Sequence, residues 1–122
     1  MAAEQIHFFL HLRDQLKLYH WQTRIYARHI ATDKVLEKLD KLIDSFVEVY
    51  IGKYGRSKVT DKNAVITLHN LTEAGAVRFC RSSIKYLGSK ALKGLAGSED
   101  LANIRDEMVA DLNQLLYLFT LK

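Results

Sequence analysis

Not one proline interrupts this chain of 122 residues, and it has only six glycines. Proline and glycine punctuate short strands and break helices, so their scarcity favours a few long helices over a sheet with many turns. Apolar residues make up 48% of the sequence and aromatics 10%. That is enough to fill one continuous core at this length without disulfides or a structural metal, and it is far from the composition of a disordered chain. The expectation is a single all-α domain spanning residues 1–122.

Hydrophobic periodicity divides the chain into four helices. The first runs from Ala3 to about Trp21, with Ile6, Phe9, Leu10, Leu16 and Tyr19 at helical spacings and Phe8 and Leu12 widening the stripe. The second, the longest, runs from about Tyr26 to Ile51 through Val35, Leu36, Leu39, Leu42, Ile43, Phe46, Val47 and Tyr50, and stops at Gly52 and Gly55. Between them, Gln22 to Ile25 include neither Gly nor Pro. The choice is a turn here, with Thr23 as a cap, or one helix of about 50 residues and roughly 75 Å. So long a helix is improbable in a small domain, which places the turn at residues 22–25.

A polar connection from Tyr54 to about His69 leads to Asn70 and, three residues on, Glu73, a capping-box variant that opens the third helix. This helix continues through Val77, Ile84, Leu87 and Ala91 until Gly94 and Gly97 close it. Ser98, followed by Glu99 and Asp100, starts the fourth, with an apolar face of Leu101, Ile104, Met108, Leu112, Leu115, Leu116 and Phe119. Four such helices with mostly short links are expected to form an antiparallel four-helix bundle.

Several settings drop out. Cys80 is the only cysteine, so no intrachain disulfide forms, and Met1 to Gln5 lack the basic and apolar regions of a signal peptide. A reducing, cytoplasmic setting is the expectation. Charged residues interrupt every apolar run before it reaches the roughly 18 residues a bilayer crossing needs, so no membrane partner is expected. The net charge of +4 permits attraction to nucleic acid, but Lys and Arg are spread over the whole chain. The densest basic stretch, Lys53 to Lys62, reads as a solvated linker, with a phosphate-contacting loop as the alternative.

The second helix carries the chemistry. Projected at about 100° per residue, His29, Asp33, Glu37, Asp40, Asp44 and Glu48 share an arc of about 100° beside the apolar stripe. A solvated face explains part of this, because Glu37 and Lys41 form an i,i+4 pair. Asp44 and Glu48 are different: they are i,i+4 and of like charge, with Ser45, Phe46 and Val47 between them. Such a pair is destabilising on its own, and a bound cation reverses the sign. His29 and Asp44 are fifteen residues apart on one helix, roughly 22 Å along its axis, and cannot ligate one ion in one chain. If both belong to one site, two copies of the helix must cross about a two-fold axis, giving two equivalent sites per dimer.

The pattern His20-Trp21, then His29, Asp33, Asp44 and Glu48, with Gly52 and Gly55 closing the helix, resembles the signature of the Dps miniferritins of the ferritin-like superfamily. Asn103 to Glu107 and the Leu116-Tyr117-Leu118 ending resemble the small Dps-like proteins encoded by large DNA viruses. The resemblance implies a ferritin-like bundle with a ferroxidase site between subunits. One subunit would give His20, His29 and Asp33, and its partner Asp44 and Glu48, both as metal ligands and as the catalytic set. It further implies iron as the ion, oxidation of Fe(II) to Fe(III) by peroxide or dioxygen, storage of the product in a shell of as many as twelve subunits, and protection against oxidative stress. For a viral member the setting would be the virion or the host cytoplasm. His20 and His29 are nine residues apart where the family usually has twelve, and the family's Gly-Pro between them is missing.

The alternative is a non-catalytic ferritin-like protein that contacts DNA non-specifically in a nucleoid or virion. Glu4 and His7 make the only Glu-x-x-His, and His7 and His11 are an i,i+4 pair that reads as surface or interface histidines. Trp21 and Tyr26 read either as core aromatics or as shields of a redox site. Cys80 reads as a small buried filler.

Overall fold

The computed structural model describes residues 2–122, and every regular element in it is helical. The elements are α1 (Ala3–Gln22), α2 (Tyr26–Tyr54), α3 (Glu73–Leu87), the single turn α4 (Lys90–Lys93) and α5 (Glu99–Leu118), with a 3-10 turn at Asp61–Ala64. The protein is all-α, and among the described residues no helix is long and apolar enough to cross a membrane.

Cross-helix pairs give the directions. Phe9 meets Phe46, Arg13 meets Asp40 and His20 meets Thr32, so α1 and α2 are antiparallel. Arg28 lies on Phe119 and Lys53 pairs with Asp100, so α2 and α5 are antiparallel as well. Tyr19 with Glu73 and Phe8 with Tyr86 set α3 antiparallel to α1. It follows that α2 and α3 point the same way, and the connection between them must return along the length of the molecule. It does so against α1, where the His7 imidazole donates to the Val65 carbonyl at 2.9 Å and Gln15 both donates to the His69 carbonyl and accepts from its N–H. The core between the helices holds Phe9, Leu12, Leu16 and Tyr19 of α1, Leu39 and Phe46 of α2, and Leu101, Met108, Leu112 and Leu115 of α5.

Several boundaries differ from the expectations. Thr23 does not cap α2, whose N-cap is Ile25; its hydroxyl donates to Glu73 and accepts from the Ile25 N–H. Asn70 does not cap α3. Thr72 does, accepting from the Gly75 N–H at 2.9 Å, because Glu73 is engaged by Tyr19 and Thr23 and makes no capping box. A Cβ at Gly75 would sit 3.0 Å from that Thr72 oxygen, so the missing side chain gives the cap its room. The third helix ends at Leu87 and not beyond Ala91, with Gly88 as its cap and α4 a separate turn. Helix α2 runs three residues past Ile51 and stops at Gly55, whose φ of 91° suits glycine. Trp21 and Tyr26 are not core residues: they are 68% and 76% exposed.

Candidate metal centre

The three-residue corner from Thr23 to Ile25 sets the end of α1 against the start of α2, and this places His20 beside His29. Their imidazoles stack with centroids 4.1 Å apart and planes 12° from parallel. His20 is buried, 5% exposed, and His29 half-buried. Asp33, one turn along α2 from His29, has its carboxylate 3.8 Å from Nε2 of His20. The corner therefore brings both rings and Asp33 to one end of the α1–α2 pair.

Protons on the rings follow from the partners. The His29 Nδ1 lies 2.9 Å from the main-chain carbonyl of His20, which can only accept, so His29 donates from Nδ1. The His20 Nδ1 lies 2.8 Å from Thr32 Oγ1, whose single hydrogen is directed to the Arg28 carbonyl at 2.8 Å and shared with that of His29 at 3.1 Å. Hence a neutral His20 donates from Nδ1, and in the neutral form of each ring the Nε2 lone pair is free. Burial, then the neighbouring His29 ring, holds the His20 imidazole below its ordinary pKa, against the opposing pull of Asp33. A neutral ring whose other nitrogen donates to a fixed acceptor is the form in which histidine binds transition metals.

The carboxylates of α2 sort by partner. Asp40 pairs with Arg13 at 3.4 Å and Glu37 with Lys41 at 3.8 Å, so these two have protein cations. Asp33, Glu37 and Asp40 line a groove of about 400 Å³ between α1 and α2, with Arg13, Asp14 and Lys17 opposite. Asp44 and Glu48 are exposed, and among the described residues neither has a hydrogen-bond or ion-pair partner. Asp44 borders a small cleft with Ile6, Leu10, Arg13 and Val47. The chain brings His20, His29 and Asp33 together and leaves Asp44 and Glu48 at a distance along α2. Among the described residues, no three His, Cys, Asp or Glu side chains converge closely enough to hold an ion within one chain.

Two residues at this corner were not singled out from the sequence. Thr32 is fully buried and holds His20. Arg28 donates to the Tyr19 hydroxyl at 3.0 Å and the Glu73 carbonyl at 2.7 Å while its guanidinium lies 4.5 Å from the centre of the Phe119 ring. Elsewhere, Glu4 accepts from Tyr86 and does not face His7, which stacks on His11 at 5.8 Å. Burial pushes the Cys80 thiol up to about 12, an inert core sulfur.

An uncharacterized 14.6 kDa protein of Enterobacteria phage T4, named for the mobD-ri intergenic region, is 49% identical to this chain over 37 residues. That stretch covers 30% of this chain and 29% of the phage protein, so the likeness spans less than a third of either. No solved structure matches. The family of unknown function DUF5856 matches residues 20–119, from His20 through Phe119, and the chain belongs to that family.

Proposed function

We propose that this protein is a ferritin-like, antiparallel four-helix bundle of the Dps-like kind, which binds and oxidises Fe(II) at sites shared between two copies and sequesters the product, protecting against oxidative damage. Four long helices with antiparallel neighbours and one long return connection support the bundle reading, since one long crossover is the connectivity of ferritin-like bundles.

The observation that carries the function is the stacked pair His20 and His29, each with its Nδ1 on a protein oxygen, and the Asp33 carboxylate 3.8 Å from Nε2 of His20. Left alone, a lone pair facing a carboxylate repels it, and an intervening cation makes both contacts favourable. Imidazole with carboxylate suits Fe(II) rather than the oxygen-only sites of Mg²⁺ and Ca²⁺. Within one chain these side chains do not converge enough to hold the ion, and Asp44 and Glu48 of a second copy, crossing α2 against α2, would complete the site. Their charge favours the Fe(III) product over Fe(II).

Fe(II) is the substrate. Two Fe(II) give one electron each to hydrogen peroxide, whose O–O bond breaks and which leaves, with two protons, as two waters. With dioxygen as oxidant, the same two electrons and two protons yield hydrogen peroxide. Twelve copies in a shell would retain the Fe(III) as mineral. Anaerobic Fe(II) titration followed by peroxide, beside the Asp44→Ala, Glu48→Ala double variant, tests this reading. Binding and Fe(III) formation lost in the variant support it, and equal behaviour of the two proteins refutes it.

A second reading rests on Arg56, Lys58 and Lys62, all exposed on the return connection, together with the net charge of +4. It makes the protein a non-catalytic DNA-binding component, and its mark is an affinity for duplex DNA that falls steeply with salt and with loss of these cations.

A further inference from the structure

We propose that Thr32 is the positioning residue of the half-site, fixing His20 in the tautomer whose Nε2 lone pair faces Asp33. The inference rests on the metal-binding reading above and goes beyond it by assigning a role to a residue that touches no metal.

The hydrogen-bond geometry favours one proton arrangement over the other. Thr32 is 0% exposed and sits inside α2, where its hydroxyl has one hydrogen and its best acceptor is the Arg28 carbonyl, four residues back, at 2.8 Å. This bond within the helix is a common resting place for a threonine hydroxyl. With that hydrogen committed, Oγ1 can only accept from the His20 Nδ1 at 2.8 Å. In the other tautomer Nε2 would carry the hydrogen, and its nearest carboxylate oxygen, 3.8 Å away, is beyond hydrogen-bonding reach. That tautomer would also pull the Thr32 hydrogen off Arg28. One hydroxyl thus holds the ring from below and leaves the opposite nitrogen bare.

The arrangement extends to the second ring. The carbonyl that accepts from His29 Nδ1 belongs to His20 itself. Thr32 orients the His20 side chain, and the His20 main chain orients the His29 side chain, so both donors are set before any ion arrives. Preset outer contacts of this kind are worth about 10- to 100-fold in metal affinity.

Two measurements test the assignment and separate it from the metal reading. Long-range ¹H–¹⁵N spectra of the histidine-labelled apo protein, taken well above the imidazole pKa, are expected to find His20 with Nδ1 protonated in the wild type and in Thr32→Ser. In Thr32→Val the signal should shift towards the Nε2–H form that free imidazoles favour. An Nε2–H ring in the wild type, or an unchanged ring in Thr32→Val, overturns the proposal with no metal involved. Co(II) titration followed by its visible absorption is expected to show about 10- to 100-fold weaker binding in Thr32→Val and near wild-type binding in Thr32→Ser. Equal Co(II) affinity in Thr32→Val and wild type overturns the role of Thr32. Absence of Co(II) binding by the wild type, alongside the expected tautomer, overturns the metal reading instead and with it any purpose for the held lone pair. Thermal unfolding of each variant confirms that a folded protein is being compared.

Discussion

The main-chain carbonyl of His20 accepts the Nδ1–H of His29 while the two imidazole rings lie stacked 4.1 Å apart. Two protonated imidazoles at that separation would repel, and His20 is already disfavoured as a cation by its burial.

If the site is shared across a two-fold axis, two inactive variants should rescue each other. His29→Ala removes one half of each site, and Asp44→Ala with Glu48→Ala removes the other. In a mixed dimer one site collects every lesion and the other none. Random re-pairing makes half of the dimers mixed, so about a quarter of the wild-type sites should return. Fe(II) oxidation measured after co-refolding the two variants reads this directly. No recovery at any mixing ratio would place the site within one chain and end the two-copy reading.

Arg28 joins three helices at the same corner, through the Tyr19 hydroxyl, the Glu73 carbonyl and the face of Phe119. Truncating it leaves a buried hydroxyl and a carbonyl short of a donor and strips the cation from an aromatic ring, so Arg28→Ala should cost about 2–4 kcal/mol in urea unfolding. Arg28→Lys keeps the charge but cannot span three partners, and it should recover less than half of the loss. A loss within about 0.5 kcal/mol would mean that the corner is held by packing alone.

The helices were legible because their apolar stripes repeat over many turns, and Phe9, Leu12, Leu16 and Tyr19 of α1 and Leu101, Met108, Leu112 and Leu115 of α5 lie inside as the spacing requires. The corner at 23–25 carries no local mark, since what holds it is Glu73, fifty residues away, bonded to the Thr23 hydroxyl. The same glutamate misled the capping pattern: Asn70 and Glu73 have the right spacing, but Tyr19 and Thr23 claim the carboxylate and Thr72 caps in its place. In the site, the α2 carboxylates could be read from one helix wheel because they share one helix. Thr32 could not, because its partner is on α1 and only the packed structure brings His20 to it.

Gln15 is 1% exposed, and its amide makes two bonds to one residue, giving a hydrogen to the His69 carbonyl at 2.8 Å and taking one from the His69 N–H at 2.9 Å. This fastens the return connection to α1 as a strand would be fastened to a neighbour. Gln15→Ala leaves both main-chain groups without partners and should cost about 1–3 kcal/mol. The connection should loosen before the helices do, so amide exchange of residues 65–70 should accelerate in the variant while that of α2 and α5 tracks the global stability. Uniform acceleration throughout would mean that the clasp has no local role.

Asp111 of α5 is 2% exposed, and its Oδ2 has no hydrogen-bond partner among the described residues. Burial pushes its carboxyl up to about 6, with Lys38 pulling the other way. In the unfolded chain the group titrates near the ordinary value of about 3.9. Between these two values the folded state binds the extra proton, so ionising Asp111 opposes folding and stability falls as pH rises from about 4 through 6. Above that window the charged, unpartnered carboxylate is a standing cost of about 1–3 kcal/mol at the packed face of α5. Asp111→Asn removes the charge and keeps the shape. Its stability relative to wild type should therefore rise by about that amount as pH goes from about 3.5 to about 7, with the change centred near 5, midway between the two pKa values. Urea unfolding of both proteins across this range measures it, and a difference that does not vary with pH would mean that Lys38 reaches the carboxylate in solution and neutralises it.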